Sequence, residues 1–378
     1  MWLRRLLAVT IVAIAAPYAC SPVYRFPAPR PFHGPTLQNP YAQLRRGWQR
    51  ANLHAHGYAW AGLTNGAQTD ADIVDAYHAA GYDIAGVSDY QRISDPALSP
   101  IAEYEHGYNI RKRHQLAIGA KGVVWMDFLF WQGLNQKQYI LDRLRATAAL
   151  VSINHPARLE GYTVDDMRYL TGYQLLEVVN GHEPGERFWD AALSAGHLVW
   201  GIGGDDIHDL TDRARIGVAW TMINSDSRRP DDIIEALRAG RSYVVYRHRS
   251  TGIEPQMTLT GVSISGRTIT VTISGRPASI GFVGQNGLSE ATVANTMSAS
   301  YTLQAHDTYI RAIVRTPDMD LYVNPLAFAD VANVTERTAE VSFGWTVLYR
   351  LAIAAMCVVA LLDLHNDMKS RVICSSTR

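Results

Sequence analysis

Between residues 21 and 356 the chain has no cysteine; its three, Cys20, Cys357 and Cys374, fall at the two ends. The body therefore has neither a disulfide framework nor a thiolate metal site. Net charge is also lacking, because 35 Lys and Arg balance 35 Asp and Glu. No basic field points toward bulk nucleic acid, so a small molecule, a small nucleotide included, is the expected partner. Charged residues are 19% and hydrophobic residues 47%, a globular composition with some membrane-like excess. There is no long-period repeat and no low-complexity segment, and 378 residues can hold one large domain plus a smaller one.

The two ends carry the apolar excess. Arg4 and Arg5 precede an apolar run from Leu6 to Ala16, so residues 1–20 read as a secretory signal or an N-terminal anchor. Pro17-Tyr18-Ala19-Cys20 faintly resembles a lipoprotein cleavage box, which Pro and Tyr fit poorly. Residues 345–364 are long enough to cross a bilayer, with Arg350 near the start beside Trp345 and Tyr349. Lys369, Arg371 and Arg378 follow in a tail, 365–378. Basic residues outside both apolar segments place both termini in the cytoplasm and the body in the periplasm or outside the cell. The alternative for 345–364 is a buried amphipathic helix.

Residues 21–46 are rich in Pro and Arg and read as a linker. From 47 to 250 short apolar runs alternate with helical stretches. Thr69 is placed to cap a helix carrying Ile73, Val74 and Tyr77, and Gly81 to end it. Apolar runs at 84–87, 115–119, 149–153, 175–179, 198–202 and 216–222 predict strands, with helices at 136–146 and 229–239 between them. Such units suggest a parallel sheet or barrel. From 251 to 340 apolar and polar residues alternate around Gly261 and Gly266, predicting a small antiparallel β-sandwich-like domain.

Polar residues gather just after the predicted strands. His54 and His56 lie two apart, so an extended backbone points both imidazoles to one side. Asp89 follows the strand ending at Val87, His155 the one ending at Ile153, and Asp206 and His208 the one ending at Ile202. In a parallel barrel those strand ends meet at one face. A carboxylate–imidazole set of this kind suits zinc, manganese or iron. Asp205 is an alternative to Asp206 as the ligand.

These segments together resemble the PHP (polymerase and histidinol phosphatase) superfamily of metallohydrolases, in its carbaryl-hydrolase-like branch. NLHAH is similar to the first motif and GYDIAGVSDY to the strand that there ends in Thr-Asp-His. SINHPA, LLEVVNG and GIGGDDIH follow in order, and AHDTYIRAIVRTPDMDLYVNPLAF resembles the end of the β domain. The resemblance implies an α/β fold, a distorted (β/α)7 PHP barrel followed by the β domain. It also implies a first metal on His54, His56, Glu105 and Asp206. Glu105 then bridges to a second divalent ion on His114 and His155, with Glu103 and His106 as competitors for these places. His208 completes the site or protonates the leaving group, and Asp206 serves catalysis beside it.

The resemblance departs from the family at two places. Tyr90 stands where the family has His, and Asn65-Gly66 occupies a place where His or Asp is usual. Both are ligands of a third metal, so a two-metal site is expected. The implied chemistry is attack of a metal-activated water on a phosphate ester, with Arg158 and Tyr90 as substrate contacts. Arg111 and Arg215 are further candidates, and Glu177 reads as a partner of a ligating imidazole. Two alternatives stand: a two-metal hydrolase of carbamates, amides or esters, and a non-catalytic envelope scaffold derived from the barrel.

Overall fold

Helix α1 (Trp2–Cys20) holds the N-terminal apolar run and is followed by an arm with two short strands, β1 (Tyr24–Arg25) and β2 (Thr36–Gln38). In this computed structural model the described residues are 2–45, 47–181, 184–248, 257–329 and 338–375; of 2–5, 7 and 363–375 only the backbone is described.

The next stretch runs β3 (Gln49–Asn52), α2 (Asp70–Ala79), β4 (Ile84–Ala85), β5 (Glu103–His106) and β6 (Gln115–Ile118). It continues α3 (Leu134–Arg145), β7 (Leu150–Ile153), α4 (Val164–Tyr169), β8 (Leu175–Asn180) and α5 (Glu186–Ser194). Then come β9 (Trp200–Gly204), β10 (Ala219–Ile223), α6 (Pro230–Arg238) and β11 (Ser242–Arg247). Thr69 and Asp72 close a capping box on α2, which buries Ile73, Val74 and Tyr77; Gly81 follows at φ 80°. Helix α6 starts with Pro230 at its first position and two acids in its first turn, both favourable there.

Strands β5 to β9 form one five-stranded sheet. Only β7–β8–β9 in it are parallel; β5–β6 and β6–β7 are antiparallel. The expectation of an all-parallel arrangement is corrected here. Residues 107–114 are too few for a helical crossover. Residues 120–133 climb back to the same edge, where Gln91 donates to Val124 O and His106 meets Met126 O, before α3 begins. Strands β3 and β4 are parallel to each other, with β10 antiparallel to both β3 and β11. This second group meets the first through two isolated bridges, Tyr90 to Glu105 and Ala55 to Ile207. The two bridges lie at or between the candidate site residues His54, His56, Tyr90, Glu105, Asp206 and His208.

The helices then stop. Strands β12 (Met257–Ser265), β13 (Thr268–Gly275), β14 (Ala278–Val283) and β15 (Ser289–Thr296) follow, then β16 (Ser298–Thr302), β17 (Tyr309–Arg315) and β18 (Met319–Ala329). The fold is mixed α/β in two domains. Strands β12, β13 and β16 form a three-stranded antiparallel sheet, whose alternating Ile269, Val271 and Ile273 pack with Ile280, Phe282 and Leu321 of a facing sheet. That facing sheet does not stop at the second domain. β18 pairs with β11, so β14, β15, β17 and β18 join β10, β3 and β4 in nine strands, β2 adding at the side. The eleven residues of β18 thereby cover what would be an open edge at β11. The expected boundary at 250/251 lies outside the described residues.

Strand β19 (Glu340–Val341) pairs with β1, and α7 (Phe343–Ser375) follows. Its residues Phe343–Leu362 are long and apolar enough to cross a membrane. Within the segment 21–46, residues 21–45 form an arm whose β1 ties the base of α1 to the base of α7. Thr346 Oγ1 accepts from Val23 N at 3.0 Å, and Arg350 donates to Ala19 O at 2.9 Å. Helices α1 and α7 pack side by side and antiparallel, with Ala8, Ala15 and Ile353 buried. Arg350 therefore satisfies its charge on the terminal carbonyls of α1. The side chains of Arg4, Arg5, Lys369 and Arg371, and Arg378 itself, lie outside the described residues.

Candidate metal centre

Glu105 is the hub. It sits fully buried on β5, the strand whose bridge to Tyr90 joins the two sheets. One oxygen, Oε1, lies 3.0 Å from His54 Nε2 and 3.2 Å from His155 Nε2. The other, Oε2, lies 3.3 Å from His56 Nε2 and 3.1 Å from His114 Nδ1. Asp206 Oδ1 completes the cage at 3.3 Å from both His54 Nε2 and His56 Nε2. All six residues are buried.

Each arrives by a local device. The extended segment after β3 turns His54 and His56 toward the same cavity, at a ring separation of 5.2 Å. His114 precedes β6, His155 follows β7, and Asp206 follows β9. His155 and Asp206 have φ of 25° and 50°. Non-glycine residues in that region are strained, and such strain gathers at functional sites. Glu177 on β8 accepts from His155 N at 2.8 Å and meets His54 Nδ1 at 2.9 Å, leaving His54 Nε2 aimed into the cage. Asn154 donates to Glu105 Oε1 at 3.0 Å.

The alternatives sort by geometry. Asp205 accepts from the amides of Gly217, Val218 and Ala219 and from the Tyr77 hydroxyl, which occupies both its oxygens with the scaffold. His106 is held between Gln115 and Met126 O, outside the cage. Glu103 is buried on β5 with neither oxygen hydrogen-bonded, over Gly86 rather than the imidazoles. Burial pushes its carboxyl well above the usual range. Asp89 accepts from Gly57 N and pairs with Arg92, which also binds Asp70. It braces the loop after His56 and stays out of the cage.

Tyr90 packs among the imidazoles at the edge of the cage. Its ring stacks on His56 at 4.5 Å, stands 5.2 Å from His114, and its hydroxyl is 3.4 Å from His208 Nε2. Burial, and then the charge of Glu105, raise its phenol well above the ordinary value, so it stays protonated. His208 stacks on His56 at 4.3 Å and turns Nδ1 to Asp206 O at 3.0 Å. A carbonyl only accepts, so Nδ1 carries the proton and Nε2 is bare. Burial and the neighbouring His56 push its pKa down to about 3. A neutral imidazole with a bare Nε2 suits the ligand role better than that of a resting acid.

The cage fits divalent cations. Buried ring nitrogens belong in hydrogen bonds, yet His54 Nε2 and both ring nitrogens of His56 and of His114 have none. Burial pushes His54 and His56 down, but Asp206 and Glu105 outweigh it and raise both. Burial wins at His114, which is lowered. Burial would likewise raise Glu105, but His114 and His54 hold it well below the usual carboxylate range. Anionic carboxylates thus hold protons where cations would stand. Two ligand-competent groups result, His54–Glu105–His155 and His54–His56–Asp206.

Sequence reasoning did not single out Lys112, Asn154 or Trp60. Lys112 stands 5.5 Å over the Tyr90 ring, and Trp60 Nε1 donates to Tyr90 O at 2.7 Å. Lys112 lies two residues before His114, which was the available signal. Arg158 lies close enough for its charge to act on the Tyr90 phenol. Arg111 pairs with Glu160 on the surface and Arg215 donates to Gly181 O.

No family model and no curated protein matches this chain. Among solved structures, it is similar to a two-domain protein containing a predicted PHP-like metal-dependent phosphoesterase from Bacteroides vulgatus ATCC 8482. The TM-score is 0.41 at 14% identity, over 83% of this chain and 98% of that one. The similarity is distant.

Proposed function

We propose that this chain is a metal-dependent hydrolase of the PHP type that cleaves phosphate esters. The carrying observation is the buried cage of His54, His56, His114, His155, Glu105 and Asp206, whose ring nitrogens crowd the carboxylate oxygens at 3.0–3.3 Å with several left outside hydrogen-bond geometry. In this reading the two sheets, bridged at Tyr90–Glu105 and Ala55–Ile207, are the halves of a distorted barrel, with the β-sandwich-like domain welded to it through β18. Its bounds are 47–250 for the barrel and 251–340 for the β domain.

His54, His56, Glu105 and Asp206 would hold one divalent ion, and Glu105, His114 and His155 a second, with His208 beside them. Two such ions, zinc, manganese or iron, supply Lewis-acid charge to a phosphoryl oxygen and acidify water. The chain does the rest. Glu177 fixes the tautomer and the aim of His54. Lys112 and Arg158 place positive charge beside Tyr90, where an anionic ester would lie. The Tyr90 hydroxyl, which stays protonated and lies 3.4 Å from His208 Nε2, would be the group to give a leaving oxygen its hydrogen bond. The body is read as periplasmic or extracellular, held by α7 with both termini in the cytoplasm.

A second reading, hydrolysis of carbamates, amides or esters, is favoured by the aromatic residues Trp60 and Trp125 at the mouth, whose rings lie 5.5 Å apart. The test is a panel of phosphate monoesters, phosphate diesters, carbamates and carboxylic esters offered to the full-length, metal-loaded chain. Turnover of phosphate esters that chelator abolishes is expected. Turnover of the carbonyl compounds alone supports the second reading, and no turnover by a metal-replete chain supports a scaffold.

A further inference from the structure

The loops that follow β3, β5 and β6, the elements carrying or flanking the cage residues, expose apolar side chains. Leu63 is 90% exposed, Trp131 65% and Trp125 58%, and Tyr58, Ile110 and Leu129 are exposed with them. Exposed apolar side chains gathered on neighbouring loops mark a binding surface. Its members are linked to the cage: Trp60 donates to Tyr90 O and packs edge-on against Trp125, and Ile110 N donates to Leu129 O at 3.0 Å.

The same patch is continuous with the root of the terminal helices. The Tyr18 hydroxyl, in the last turn of α1, donates to Trp131 O at 2.7 Å and accepts from Trp131 N at 3.0 Å. Gln136, at the start of α3, donates to the Tyr349 hydroxyl on α7. A segment bonded to the base of a membrane-crossing helix cannot leave the interfacial layer, where Trp and Tyr are favoured. From Trp131 a groove of about 690 Å³ runs past Phe130, Ile110 and Tyr162 to Ala157, two residues beyond His155, with Arg111 and Arg187 on its walls. Glu160 pairs with Arg111 there, which leaves Arg187 and the apolar walls to suit an anionic head and its acyl chain.

We propose that this apolar rim seats the mouth of the metal centre on the bilayer, so that the centre works on phosphate esters carried by membrane lipids. The proposal rests on the phosphoesterase reading and on α7 crossing the membrane. It commits to lipid rather than to a second copy of the chain, because the rim is continuous with the helix roots and a soluble partner would have to enter between them and the headgroups.

The experiment uses the full chain, metal-loaded, in dioleoylphosphatidylcholine nanodiscs. With brominated phosphatidylcholine in the disc, tryptophan emission from Trp125 and Trp131 is quenched. The quenched fraction is therefore expected to fall in Trp125→Phe/Trp131→Phe, and an unchanged or higher fraction overturns the placement. In parallel, p-nitrophenyl phosphate and bis(p-nitrophenyl) phosphate are compared with phosphatidic acid, phosphatidylglycerol and phosphatidylinositol embedded in the disc. Leu63→Glu/Leu129→Glu puts charge on the rim without touching the cage. It should keep turnover of the soluble esters and lose roughly tenfold or more on the embedded one. Equal loss on both, no loss, or a chain active on soluble esters but on none of the lipids overturns the proposal. A rim that cross-links to a second copy and stays unquenched also overturns it. Failure on every ester, soluble and embedded, instead defeats the phosphoesterase reading, and the quenching then still decides where the rim lies.

Discussion

Glu105 and Glu103 stand two positions apart on β5, on one face of the strand and both fully buried, but it is Glu105 whose oxygens lie 3.0–3.3 Å from imidazole nitrogens. Glu105→Gln removes the anion that lies within 3.3 Å of His54, His56, His114 and His155, so metal content and hydrolysis should both collapse, by about a hundredfold or more in rate. Glu103→Gln is nearly isosteric and removes no ligand, so metal content and rate should stay within about twofold of wild type. Elemental analysis and a rate on one phosphate ester check both; the reverse pattern makes Glu103 the hub. Tyr90→His puts an imidazole where the phenol now stacks between His56, His114 and His208. The stoichiometry should rise from about two metals per chain toward three. An unchanged ratio after full titration would mean that Tyr90 does not stand at a ligand position, or that the gap at Asn65 is decisive.

At the scale of elements, helices α2, α3 and α6 and strands β6 to β10 were legible within a few residues. Capping at Thr69, the Pro start of α6 and runs of apolar residues are local signals. Strand β5 was not legible as a strand. Glu103-Tyr104-Glu105-His106 alternates no apolar pattern, because both its faces are buried and its polar residues serve the cage. The antiparallel pairing of β5, β6 and β7 was also out of reach, since strand direction is set by where residues 120–133 run. The pairing of β18 with β11 depends on contacts far apart in sequence, and alternation cannot reveal it. The seam between α5 and β17 gives an element-scale test. Arg311 holds Asp190 with two bonds, 2.7 and 2.8 Å, both partners buried. Arg311→Leu leaves the buried carboxylate with no cation and only the Tyr309 hydroxyl as partner, and should cost about 3–5 kcal/mol, read by denaturant unfolding. A loss under about 1 kcal/mol would mean that water reaches Asp190.

Over the whole molecule, the second domain shares a sheet and a hydrophobic core with the first, and Tyr77, Trp220, Phe282 and Val271 lie in one cluster. A chain ending near residue 250 would expose β11 and half of that core, and it should aggregate rather than fold, as size-exclusion chromatography would show. The termini obey the same logic, for β1 pairs with β19 and brings α1 and α7 to one exit. A reporter after Arg378 should be active only in the cytoplasm and one at Gly266 only outside; activity from the same side would show that α7 does not cross. The cage remains the centre of the whole reading. Its most direct test is elemental analysis of the purified full chain after loading and dialysis, beside the His54→Ala/His56→Ala variant. The wild type is expected to retain about two divalent ions per chain and the variant to lose them with its circular dichroism unchanged. A wild type that keeps no metal, or a variant that keeps as much as the wild type, would contradict a metal centre at these residues.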